Sequence, residues 1–122
     1  GARALGGCTA ATSNNIAIGT DALVNASYAA AAINLAIGTD TGYAITSGTQ
    51  NVLIGYQAGS AIVTTDNSTG VGYKALNTAT GTGNTTLGSL TMPYLVAGSN
   101  NVAVGSLAMF NVGDADGTRI GL

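Results

Sequence analysis

The chain reads as an all-β protein, a parallel β-solenoid (β-roll) of six to seven coils with a 16–19 residue period. Three observations carry this expectation. The segment Asn15-Ile16-Ala17-Ile18-Gly19 returns as Asn34 to Gly38, Asn51 to Gly55, Ser68 to Gly72, Asn84 to Gly88 and Asn101 to Gly105. Its glycines are 19, 17, 17, 16 and 17 residues apart, and self-similarity at such a period marks a solenoid. Before each glycine, apolar residues alternate with small ones, which is the period of a strand.

Each coil has the same plan. Ile16/Ile18, Leu35/Ile37, Val52/Ile54 and Val102/Val104 place apolar residues third and first before the glycine, while Thr69/Val71 and Thr85/Leu87 put Thr at one place. Between them stand Ala17, Ala36, Leu53, Gly70, Thr86 and Ala103, all but Leu53 small. Side chains alternate along a strand, so the two apolar rows are expected to face the interior and the small row the surface. Abundant β-branched residues and recurring glycine argue against a helix.

The glycine suits a sharp corner at positive φ. Asn four residues earlier suits the opposite corner, either in the left-handed region or through backbone hydrogen bonds, and stacked Asn side chains are expected to form a ladder. After the glycine, segments such as Thr20-Asp21-Ala22-Leu23 and Tyr73-Lys74-Ala75-Leu76 read as a return strand. The rest of each period is loop, and Pro93 lies in one. Weak half-copies close the pattern at Arg3-Ala4-Leu5-Gly6 and Thr118-Arg119-Ile120-Gly121. At about 4.8 Å per coil, the rod would be roughly 30 Å long, with a core two residues deep.

A chain of 122 residues reads as one domain, 1–122, and its opening in mid-pattern without Met reads as a segment of a longer fibre protein. Lys+Arg number 3 and Asp+Glu 5, with neither His nor Glu, while 46% of the residues are apolar. That balance excludes disorder, and the net charge of −2 offers no footprint for nucleic acid or an anionic membrane. No run approaches the ~18 apolar residues of a membrane span, and no signal peptide is visible. Cys8 is the sole cysteine, which rules out an internal disulfide, and reads as a small buried thiol.

The stretches "NNIAIGTDAL", "NLAIGTD", "NVLIGYQAG", "VGYKALNTATGTGNTTLG" and "NNVAVGSLAM" resemble the repeats of phage tail fibres and of trimeric autotransporter adhesin heads. The resemblance spans nearly the whole chain, although adhesin heads have a shorter and more regular period. It implies a left-handed, trimeric β-roll at the virion or cell surface. The expected role is a structural or adhesive fibre segment, with a host-surface glycan or protein as receptor and no membrane insertion. Alternatives are the subunit of a helical filament stacked end to end, an ice-binding solenoid, and a polysaccharide depolymerase.

Chemistry is sparse. Without His and Glu the common acid–base groups are missing, and no catalytic, cofactor or metal residue is assigned. A carboxylate pair would have to come from Asp21, Asp40, Asp66, Asp114 and Asp116. Asp21 and Asp40 are repeat-equivalent and should stack on adjacent coils, read as solvated loop carboxylates. Asp114-Ala115-Asp116-Gly117 opens like a calcium loop but lacks the later ligands, and reads as a turn. Gly81-Thr82-Gly83-Asn84 has no Lys after it and is discounted as a phosphate loop. Tyr56 and Tyr73 are equivalent and should stack, either as a glycan platform if exposed or as packed repeat consensus. Tyr28, Tyr43 and Tyr94 lie in the connections, where exposure would point to recognition.

Overall fold

The computed structural model describes residues 1–7, 14–26, 31–95, 97–111 and 120–122. The expectations for Cys8, Tyr28, Asp114, Asp116, Thr118 and Arg119 lie outside these residues. Each repeat contributes one short strand immediately before its glycine. They are β1 (Ile16–Ile18), β2 (Leu35–Ile37), β3 (Val52–Ile54), β4 (Thr69–Val71), β5 (Thr85–Leu87), β6 (Val102–Val104) and β7 (Ile120–Gly121). They form one parallel sheet in chain order, so the fold is an all-β parallel solenoid. Register is repeat on repeat: Ala17 lies opposite Ala36, Ala36 opposite Leu53, Leu53 opposite Gly70, Gly70 opposite Thr86 and Thr86 opposite Ala103.

The corner glycines end the strands. Gly38 has φ 135°, and a Cβ there would lie 2.5 Å from the carbonyl oxygen of Gly55, so both conformation and close stacking demand glycine.

The segment after each glycine is not the expected return strand. Its second and fourth residues take left-handed φ, as in Asp21 (55°) with Leu23 (50°), and Lys74 (50°) with Leu76 (54°). The third and fourth are both buried in five of the six coils, in pairs such as Ala22 with Leu23 and Ala75 with Leu76, and Met109 is partly buried in the sixth. An extended strand would send one of each pair outward. Backbone bonds between coils offset the conformational cost of these left-handed residues. Gln57 N–H donates to Thr39 O at 3.0 Å, and Gly59 N–H donates to Ala75 O at 2.9 Å.

The end segments also differ from expectation. Arg3 and Leu5 share the left-handed φ of 54°, and Asp21 N–H donates to Ala2 O as Asp40 N–H does to Thr20 O. Arg3–Gly6 therefore belongs to the turn ladder, not to a strand with Gly6 at its corner. Gly121 lies opposite Ala103, so it holds a mid-strand place.

The largest correction concerns which strand face is inside. The small row is the interior one: Ala36, Leu53, Thr86 and Ala103 are fully buried. The apolar rows point outward, with Ile16 and Ile18 each 56% exposed and Leu87 52%. The expected interior places of Ile18, Ile37, Ile54, Val71, Leu87 and Val104, and of Ile16, Leu35, Val52 and Val102, are therefore wrong by one residue of register. The physical reason is the asparagine. Asn34, Asn51, Asn84 and Asn101 are buried, and a residue two places further along an extended chain must share their face.

The asparagine ladder itself is present. Asn34 Oδ1 accepts bonds from Asn51 N–H (3.0 Å) and Asn51 Nδ2 (3.1 Å), and Asn51 Oδ1 accepts from Ser68 N–H (3.0 Å). Ser68 Oγ passes the pattern to Asn84 N–H, and Asn84 Oδ1 accepts from Asn101 N–H and Nδ2. The left-handed residue at this corner is not the Asn but the one before it: Asn14, Ile33, Gln50, Asn67 and Asn100.

Leu23, Ile45, Leu53, Ile62 and Leu76 fill one stretch of the core, and Met92 and Leu95 fill a second. The accessible surface of 5421 Å² is no larger than the roughly 5,900 Å² that a globular chain of this mass exposes. Thinness of the rod is thus no ground for expecting association.

Candidate interaction surfaces

The outward face of β1–β6 carries two parallel rows. One holds Ile18, Ile37, Ile54, Val71, Leu87 and Val104, and the other Ile16, Leu35, Val52, Thr69, Thr85 and Val102. None of the twelve is charged, and ten are aliphatic. At about 4.8 Å per rung, this face runs some 25 Å along the sheet. Ile16, Ile18, Thr85, Leu87 and Val104 are exposed and the other seven half-buried, and large exposed apolar patches are a common feature of interaction sites. Sequence reasoning missed it by placing these residues in the core; the burial of the Asn two positions before the small residue, which only the structure shows, sets the face.

Beside the face lies the row just after each glycine: Thr20, Thr39, Tyr56, Tyr73, Ser89 and Ser106, all exposed. Tyr56 and Tyr73 stack as expected, with ring centroids 5.7 Å apart and planes within 8°. They are both packed on each other and open to solvent, and Lys74 Nζ lies 5.4 Å from the Tyr73 ring. Tyr43 and Tyr94 are exposed too, and Tyr94 meets Phe110 edge to face.

The described carboxylates have separate roles. Asp21 is not a solvated loop acid. It is 7% exposed and accepts a 2.6 Å bond from the Arg3 guanidinium, while its Oδ1 is buried without a partner. The bond and charge of Asp21 hold Arg3 protonated to higher pH than usual. Asp66 Oδ1 accepts bonds from Thr49 N–H (2.7 Å) and Thr49 Oγ1 (2.9 Å), tying two coils together. Asp40 accepts one long bond, 3.4 Å, from Gln57 Nε2. Among the described residues no three metal-ligating side chains gather, and no helix is long and apolar enough to cross a membrane. Asn84, within the discounted phosphate loop, is buried and donates to Gly81 O and Gly98 O.

Fold and surface together define a parallel β-solenoid repeat protein whose prominent feature is an outward, largely apolar sheet face. Compared with known proteins, the chain matches no family, no curated protein and no solved structure significantly.

Proposed function

We propose that this chain is a non-enzymatic, structural and adhesive segment of an extracellular fibre, of the tail-fibre or surface-adhesin kind, at the virion or cell surface. Copies pack side by side through the outward face of β1–β6. The observation that carries the reading is that face, two rows of uncharged, largely aliphatic side chains turned away from their own core. Burying it removes apolar area from water at about 25 cal/mol per Å². A second copy fits this surface because it presents identical rungs at identical spacing.

The two threonines favour parallel, in-register copies. In that arrangement each rung lies level with its own copies, so the Thr69 and Thr85 rungs face like rungs of the neighbouring chains. A reversed copy would set Thr85 against Leu35 and Thr69 against Val52, leaving hydroxyls against aliphatic groups. Closed rotational symmetry buries every copy of the face equally, and three-fold symmetry is what the repeat resemblance implies.

Sedimentation equilibrium tests the reading, with Ile18→Lys/Leu87→Lys as the variant because both sites lie outside the core. The parent should run as a trimer and the variant as a folded monomer with unchanged far-ultraviolet dichroism. A parent that stays monomeric at every concentration removes the proposal.

A further inference from the structure

We propose that the recess formed by Asp40, Tyr43, Gln57 and Ser60 is a saccharide-binding site that takes one pyranose ring through a vicinal diol. It deepens the adhesive reading above and rests on that reading for its purpose, but binding itself can be measured independently. The recess spans two adjacent coils, and its volume is about 220 Å³. That is below the roughly 300–1,000 Å³ of pockets for drug-sized ligands, and on the scale of a single sugar ring.

The chemistry of the walls is rich in acceptors. Asp40 is the one described aspartate without a short bond: Gln57 Nε2 approaches at 3.4 Å, whereas Asp21 is ion-paired and Asp66 is doubly bonded. Ser60 Oγ spends its proton on Asn77 Oδ1 at 3.1 Å and keeps its lone pairs free to accept. Gln57 adds an amide oxygen. Tyr43 contributes a ring that is 42% exposed and a hydroxyl at its tip. Paired hydroxyls of a sugar supply the donors that a carboxylate binds best, and its C–H face packs on an aromatic ring.

A cation suits the recess less well. It offers a single carboxylate, and the Arg3 guanidinium is within electrostatic reach of both Asp40 and Tyr43. The frame is preorganised: Asp40 N–H donates to Thr20 O at 2.9 Å and Gln57 N–H to Thr39 O at 3.0 Å. Ala44 N–H donates to Ser60 O at 3.0 Å, holding the Tyr43 coil against its neighbour. None of the four residues belongs to a strand, so none is part of the outward face of β1–β6.

The test is saturation-transfer NMR on the whole chain with methyl glucopyranoside, galactopyranoside, mannopyranoside and N-acetylglucosaminide. At least one should receive saturation on its ring protons. Asp40→Asn and Tyr43→Ala should each weaken binding about tenfold or more, as loss of a charge-assisted bond or of stacking implies. Tyr94→Ala, an exposed tyrosine elsewhere, should leave binding unchanged. No saturation with any of the four overturns the proposal. So does binding that survives both recess variants, or calcium shifting the Gln57 amide resonance while no sugar does. Sedimentation on the same samples separates the two readings. A trimer that binds no sugar loses this site only, and a monomer that binds sugar loses the assembly only.

Discussion

The Leu53 methyls occupy the space that a side chain at Gly59 would claim: a Cβ there would lie 2.8 Å from Leu53 Cδ2 and 2.9 Å from Cδ1. The exchange of volume reverses one coil later, where Gly70 takes the strand position and Leu76 the turn position. In these two neighbouring coils the place between strand and turn holds one large side chain, supplied from either side. Leu53→Ala should cost about 2–5 kcal/mol, as buried Leu-to-Ala changes do. Leu53→Ala/Gly59→Leu should recover part of that loss, because Leu already occupies the equivalent left-handed position at Leu23 and Leu76. Chemical denaturation of both variants checks the exchange; a double variant weaker than Leu53→Ala would refute it.

The asparagine ladder makes a sharper demand. Asn51→Leu would strand Ser68 N–H and Thr65 O, both inside, at about 1–3 kcal/mol for each buried group left unpaired. Asn51→Ser should cost less, since Ser68 already serves in that place by accepting from Asn84 N–H. Thermal melts should rank parent, Asn51→Ser and Asn51→Leu in falling order.

Arg3→Ala removes the only described cation paired with Asp21, whose carboxylate is buried. The variant should melt below the parent, because an uncompensated buried charge remains. Asp21→Asn in the Arg3→Ala background should raise the melting temperature again. If the parent, the single and the double variant all melt together, the pair contributes nothing.

The strand register has its own test. Ile54→Asp changes an outward residue, so it should abolish association while leaving the dichroism of the chain intact. Ala36→Arg places a charge at a fully buried site beside Leu53 and should prevent folding. Reversed outcomes would restore the arrangement in which the apolar rows face inward.

The repeat itself determined a great deal. Glycine at nearly constant spacing, an extended triplet before it and Asn at its head sufficed for a parallel solenoid with residue-on-residue register and an asparagine ladder. Those features are local or come from stacking like on like, so periodicity carries them. Only the tertiary structure decided which face of the triplet is inside, because alternation is symmetric and hydrophobicity points the wrong way when an outer face is itself apolar. It also decided that the segment after the glycine alternates into the left-handed region, where Asp21, Lys74 and Leu76 sit against their conformational preference. Bonds between coils stabilise that path, and no single repeat contains them. Asp40 with Gln57 and Tyr43 with Ser60 are repeat-equivalent, so periodicity brings them to adjacent coils, but the recess between them opens only through the left-handed turns that the structure shows.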